Sequence, residues 1–163
     1  MMFRRAAIAL LLAAVCGVAL AHRAPNSYVR LEFTGHAVRA EVLVPQSELA
    51  FAMPGGEGTQ AFADYLLRHV AVESKDGARW TIVIRAVRTK LYFDHEYMLA
   101  ELEITPPAGA SMREFVLVDD AVTHEVRNHV VVVTRGGAET QVLGALQYPA
   151  RRLAISELPL KAE

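Results

Sequence analysis

From Ser27 to Phe33 the chain alternates, with Val29, Leu31 and Phe33 on one face and Arg30 and Glu32 on the other. Period-two alternation of this kind predicts a half-buried strand. Thr34-Gly35 signals a turn, and residues 36–44 resume the alternation with Val38, Ala40, Val42 and Val44 inward, so the two segments predict a hairpin. Pro45 ends it, and residues 46–53 fit a short helix or a loop equally. Pro54-Gly55-Gly56-Glu57-Gly58 reads as a linker. Thr59 then fits an N-cap for a helix over 60–69, whose Phe62, Tyr65, Leu66 and His69 share one face at helical spacing.

Val70 to Glu73, the turn Lys75-Asp76-Gly77, and residues 79–88 predict a second hairpin with Trp80, Ile82, Ile84 and Ala86 buried. Residues 97–105 alternate Met98, Ala100, Leu102 and Ile104 against Glu101 and Glu103, and Pro106-Pro107 stops them. Two further strands are expected over 114–118 and 129–134, and a last one over Gln141–Leu146, after which the pattern is lost. About seven short strands and one small helix predict a mainly β chain: a single antiparallel β-sandwich, immunoglobulin-like, with one short helix. A parallel α/β fold would need a helix between most strands.

The first residues follow a different rule. Arg4 and Arg5 precede the apolar run AAIALLLAAVCGVAL, and Ala19-Leu20-Ala21 places small residues where signal peptidase reads them. Basic head, short apolar middle and small-residue exit predict a secretory signal over 1–21 and an exported domain over 22–163. The run is too short for a membrane helix, which needs about 20 apolar residues. The expected location is the periplasm.

Composition agrees with one folded domain. The 163 residues are 53% hydrophobic and 21% charged, with a net charge of −1. Removing Arg4 and Arg5 from the 17 basic residues leaves 15 against 18 acidic ones, a net of −3. That balance argues against nucleic acid as a partner, because phosphate binding needs a basic face. Processing also removes Cys16, the one cysteine, leaving neither a disulfide nor a thiolate ligand.

Catalytic templates fit poorly. No serine lies in a Gly-x-Ser-x-Gly elbow, and the glycines of 55–58 lack the Lys-Ser/Thr of a phosphate loop. His124-Glu125-Val126-Arg127-Asn128-His129 resembles a zinc-protease helix, but its histidines are five apart instead of four. No acid–base pair or nucleophile can be named from spacing, so a non-enzymatic role is expected.

Metal binding fits better. All six histidines (His22, His36, His69, His95, His124 and His129) survive processing, and neutral imidazole suits copper, zinc and nickel. His95 lies between two strands and His124 in the loop before another, where strand-connecting loops of a sandwich converge. His36 reads as a turn residue and His69 as a helix-edge histidine; His129 can equally satisfy a backbone carbonyl. His22 becomes the first residue after cleavage, offering its α-amine and its ring nitrogen to one ion. The expected ligands are therefore His22, His95, His124 and His129. Copper is the first expectation, since Cu(II) heads the affinity order for nitrogen sites; nickel, or no metal at all, are the alternatives.

Ala21-His22 followed by Asn26-Ser27-Tyr28-Val29-Arg30-Leu31 resembles the start of exported domains that precede the membrane helices of HupE/UreJ-type proteins, permeases associated with nickel or cobalt. The stretches from Ala61-Phe62-Ala63-Asp64-Tyr65-Leu66 through Asp76-Gly77, and from Asp120-Ala121-Val122-Thr123-His124 through Asn128-His129, are similar too. The resemblance implies an exported sandwich module that serves an inner-membrane permease, or another envelope protein, as an accessory. A mature amino-terminal histidine is also similar to periplasmic copper proteins of the CopC kind. The alternative to a metal carrier is a metal-free module working by protein–protein contact.

Overall fold

The computed structural model describes residues 25–56 and 58–156. The expected signal over 1–21 and the expected ligand His22 lie outside the described residues.

The elements run β1 (Ser27–Phe33), β2 (Val38–Pro45), α1 (Gln46–Ala52), α2 (Gly58–His69), β3 (Val70–Glu73), β4 (Thr81–Tyr92), β5 (His95–Thr105), β6 (Glu114–Asp119), β7 (Val131–Arg135), β8 (Gln141–Leu146) and β9 (Arg152–Ser156). One sheet has the order β4-β5-β2-β1-β7-β8 and the other β3-β6-β9. The protein is mainly β, a two-sheet sandwich. A single hydrophobic cluster joins residues of both sheets and both helices, among them Leu31, Val42, Leu49, Phe62, Leu66, Leu102, Phe115 and Ile155. Among the described residues, no helix is long and apolar enough to cross a membrane.

The predicted first hairpin forms as β1 and β2, with Tyr28 opposite Leu43 and Phe33 opposite Val38. Its turn is closed by Thr34, whose amide and hydroxyl both donate to the Ala37 carbonyl, at 2.9 and 2.7 Å. Residues 46–52 form helix α1, so the described residues hold two helices instead of the expected one. Burial of Glu48, Leu49 and Ala52 secures this short element, consistent with tertiary packing outweighing weak local preference.

Two other expectations are corrected. The second hairpin forms only at its turn: Ser74 and Gly77 close it, and Trp80 N–H reaches the Val72 carbonyl at 2.9 Å. The chain then crosses to the larger sheet, where β4 pairs with β5 along its length. Trp80 marks the crossing, buried against Phe115 with ring centroids 5.0 Å apart and its indole N–H on Ser74 Oγ at 2.8 Å. The β4–β5 pairing is directed by Phe93 and Asp94, both at positive φ (46° and 61°), the two-residue turn whose twist matches a hairpin.

The expected antiparallel sandwich is present with one parallel pair in it, because β1 and β7 run parallel with Ser27 opposite Val131. Parallel neighbours need a long connection, and the whole second sheet's first two strands lie between these two in sequence. Finally, β7 starts at Val131, so His129 does not open a strand; its N–H closes a turn on the Val126 carbonyl at 3.0 Å.

The outer face of the large sheet is divided. Arg30 with Glu41, Arg85 with Glu103 and Arg88 with Glu101 form a solvated ladder of ion pairs, while Tyr28, Tyr92 and Tyr97 pack together at the other end over Leu43 and Leu99.

Candidate metal centre

The register that places Val70 opposite Asp119 aligns the end of α2 with the end of β6. His69 is the last residue of α2 and Asp120 the first beyond β6, and the Asp120 N–H donates to the His69 carbonyl at 3.2 Å. His69 Nδ1 lies 2.8 Å from Asp120 Oδ1. His124 comes back over the same spot, with its Nδ1 2.9 Å from the Asp120 carbonyl oxygen. Ligand atoms of His69, Asp120 and His124 all lie within 4.8 Å of one another, and the three are half-buried.

Carbonyl oxygen only accepts, so His124 Nδ1 carries the proton and its Nε2 keeps a lone pair. His69 Nδ1 shares its hydrogen bond with a carboxyl oxygen, Asp120 Oδ1, and where Nδ1 is the donor Nε2 is left available. Histidines that bind metals are commonly oriented in this manner, by a carboxylate or a carbonyl on the other ring nitrogen. The three groups can also serve as direct ligands, a two-histidine, one-carboxylate set suited to borderline divalent ions.

The loop that carries His124 is held under strain. Val122 has φ +66° although it is β-branched, a conformation that costs on the order of 1–3 kcal/mol and persists only where surroundings impose it. They do: the Val122 N–H donates to Tyr65 Oη at 2.8 Å, the Val126 N–H returns to the Val122 carbonyl at 2.8 Å, and Asp119 Oδ1 accepts the Ala121 N–H at 2.9 Å. Tyr65 is itself buried, which pushes its hydroxyl up to about 12, and its ring packs on His69 at 4.5 Å. Asp119 is fully enclosed, and burial raises its carboxyl to about 7.

Of the three expected ligands among the described residues, His95, His124 and His129, the structure places only His124 in this cluster. His95 lies exposed at the start of β5, opposite Tyr92 at the hairpin end. His129 belongs to a separate buried group: its Nε2 shares a hydrogen bond with Ser27 Oγ at 2.8 Å, and its Nδ1 lies 3.9 Å from Glu48 Oε2 without any hydrogen-bond partner. Serine, histidine and acid in that order resemble a nucleophilic triad, but Ser27, His129 and Glu48 are only 2%, 1% and 7% exposed, and the histidine–acid contact is too long for a hydrogen bond. A substrate has no access to Ser27 Oγ. Burial pushes His129 down to about 4 and Glu48 upward, so the imidazole is neutral at physiological pH.

Among the described residues, His69, Asp120 and His124 are the only group of three or more His, Cys, Asp or Glu side chains close enough to share an ion. Sequence reasoning missed two of the three. The available signal was positional: His69 directly precedes one strand and Asp120 directly follows the strand it pairs with. A larger cleft of about 520 Å³ between α1, α2 and the β4–β5 edge, lined by Leu49, Met53, Phe62 and Met98, contains no imidazole. Comparison of the sequence with protein-family models and with curated proteins finds no match in either.

Proposed function

We propose that this chain is an exported, non-enzymatic domain that binds a transition metal ion at His69, Asp120 and His124 and presents it to a membrane partner. The observation that carries the reading is the gathering of two stacked imidazoles and one carboxylate at a single half-buried spot, with ligand atoms of His69, Asp120 and His124 within 4.8 Å of one another. Copper(II) is the ion of first choice by the affinity order for nitrogen ligands, with nickel the alternative. The resemblance to the exported domains of HupE/UreJ-type proteins supports an inner-membrane permease as the partner.

Calorimetric titration of Cu²⁺ and Ni²⁺ into the mature protein, its amino terminus fixed at His22 by intact mass, tests this. One ion should bind per chain, and the double variant His69→Ala/His124→Ala should lose it. A form with one extra residue before His22 keeps the interior cluster but displaces the α-amine from His22, so unchanged affinity there assigns binding to the cluster. Undiminished binding in the double variant would reject the site.

A second reading, contact with an envelope protein independent of metal, is favoured by the end of the β4–β5 hairpin. Leu91, near the end of β4, and Phe93, in the turn against Tyr92, are each 69% exposed there. Replacing both with Ser while metal binding persists separates this role from the first.

A further inference from the structure

We propose that Arg151 is a built-in competitor for the metal ion, occupying Asp120 in the metal-free protein and giving it up on loading; this rests on the reading of His69, Asp120 and His124 as a metal site. Asp120 is shared by two cations or potential cations: Oδ1 faces His69 Nδ1 at 2.8 Å, and Oδ2 takes the Arg151 Nη1 at 3.2 Å. The arginine is not there by chance of a long side chain. Its backbone is fixed one step away, because the Arg151 carbonyl accepts the Asp119 N–H at 3.0 Å and the next residue, Arg152, pairs with Val118.

The pair can exchange. The Arg151 side chain is 63% exposed, and an exposed ion pair of this kind contributes little and yields readily. The charge itself does not leave so easily, since the fixed backbone keeps the guanidinium close. Even at the dielectric of bulk water, a divalent ion about 6 Å from a single positive charge is disfavoured about tenfold. An arginine that only oriented Asp120 as a ligand would act in the opposite direction, and its loss would weaken binding. The sign of the effect therefore identifies the role. A partner that offers a carboxylate to Arg151 would free Asp120 and favour loading, which gives the docking of an acidic surface a direct influence on metal occupancy.

The test is calorimetric titration of Cu²⁺ and Ni²⁺ into the mature protein, Arg151→Gln, Arg151→Lys and the double variant His69→Ala/His124→Ala, with thermal melts confirming that each is folded. Arg151→Gln should bind about tenfold more tightly than wild type, and Arg151→Lys should stay close to wild type. Binding by Arg151→Gln where wild type shows none also supports the proposal. If Arg151→Gln binds equally or more weakly while the histidine double variant has lost binding, the competitor role is overturned and the metal site stands. If the histidine double variant binds as wild type does, the site itself is rejected.

Discussion

The imidazoles of His69 and His124 are stacked, their ring centroids 4.3 Å apart and their planes within 16° of parallel, although 55 positions separate them in sequence. One ring ends a helix and the other rides on a loop, so their meeting depends on both the β3–β6 register and the strained turn at Val122.

The stack predicts which histidines matter. His124→Ala should weaken Cu²⁺ binding at least about tenfold, whereas His95→Ala and His129→Gln should leave the affinity unchanged, since those rings lie outside the cluster. Titration of the three single variants against the mature protein decides this. Loss of affinity in His95→Ala alone would move the site to the hairpin.

Tyr65→Phe isolates the loop from the ligands. It removes the acceptor for the Val122 N–H, at 2.8 Å in the structure, and leaves the aromatic ring on His69. The variant should lose about 1–3 kcal/mol of stability and bind the ion several-fold more weakly, because the backbone at Val122 is no longer held. Denaturant melts and metal titration on the same sample report the two effects. Unchanged metal affinity would show that the tyrosine supports the fold but not the centre.

Acid should reveal two opposed proton couplings. His129 is pushed from 6.5 down to about 4 by burial, so below pH 6.5 the unfolded chain takes up a proton that the folded one declines, and stability falls as pH drops toward 4. Asp119 is raised from 3.8 to about 7, first by burial; the folded chain keeps a proton that the unfolded one releases, so stability is gained as pH drops from 7 toward 3.8. Glu48, also raised by burial, acts with the sign of Asp119. Between about pH 4 and 6.5 the wild-type midpoint in urea should therefore change little. Asp119→Asn should expose a decline toward acid approaching about 1.36 kcal/mol per pH unit, and His129→Gln a rise. A full one-proton slope in the wild type would contradict the opposition.

The buried Ser27–His129 pair should be costly to break. Ser27→Ala leaves His129 with neither ring nitrogen hydrogen-bonded to a side chain, since Nδ1 already lacks a partner. A loss of about 1–3 kcal/mol is expected, with no effect on metal affinity. Equal stability of Ser27→Ala and wild type would mean that another group satisfies the ring.

Much of the fold was legible because most strands bury one face and follow period two. The alternation of Val29, Leu31 and Phe33, or of Met98 to Ile104, carries its own evidence of burial. Helix α1 and strand β9 were not, for physical reasons: seven residues of α1 contain too little periodicity to separate helix from loop, and β9 buries little beyond Ile155. The turn at Lys75-Asp76-Gly77 was read correctly, but a turn signal is local and cannot say that Trp80 carries the chain into the other sheet. The centre suffered the same limit. His124 stood out by its loop, whereas His69 reads as an ordinary helix-edge residue until the pairing of Val70 with Asp119 brings Asp120 beside it.

The parallel pairing of β1 with β7 also decides how the protein can be handled. Because both strands start at the same end, the chain before Ser27 enters next to the compact turns of 120–130 that carry His124. Strand β9 runs the other way, from Arg152 beside Val118 to Ser156 beside Glu114, about 13 Å farther from Asp120 at a strand's rise per residue. Side chains joined directly at Pro25 would therefore start beside the turns that carry His124, whereas ones joined directly at Ser156 would start from the far end of the small sheet.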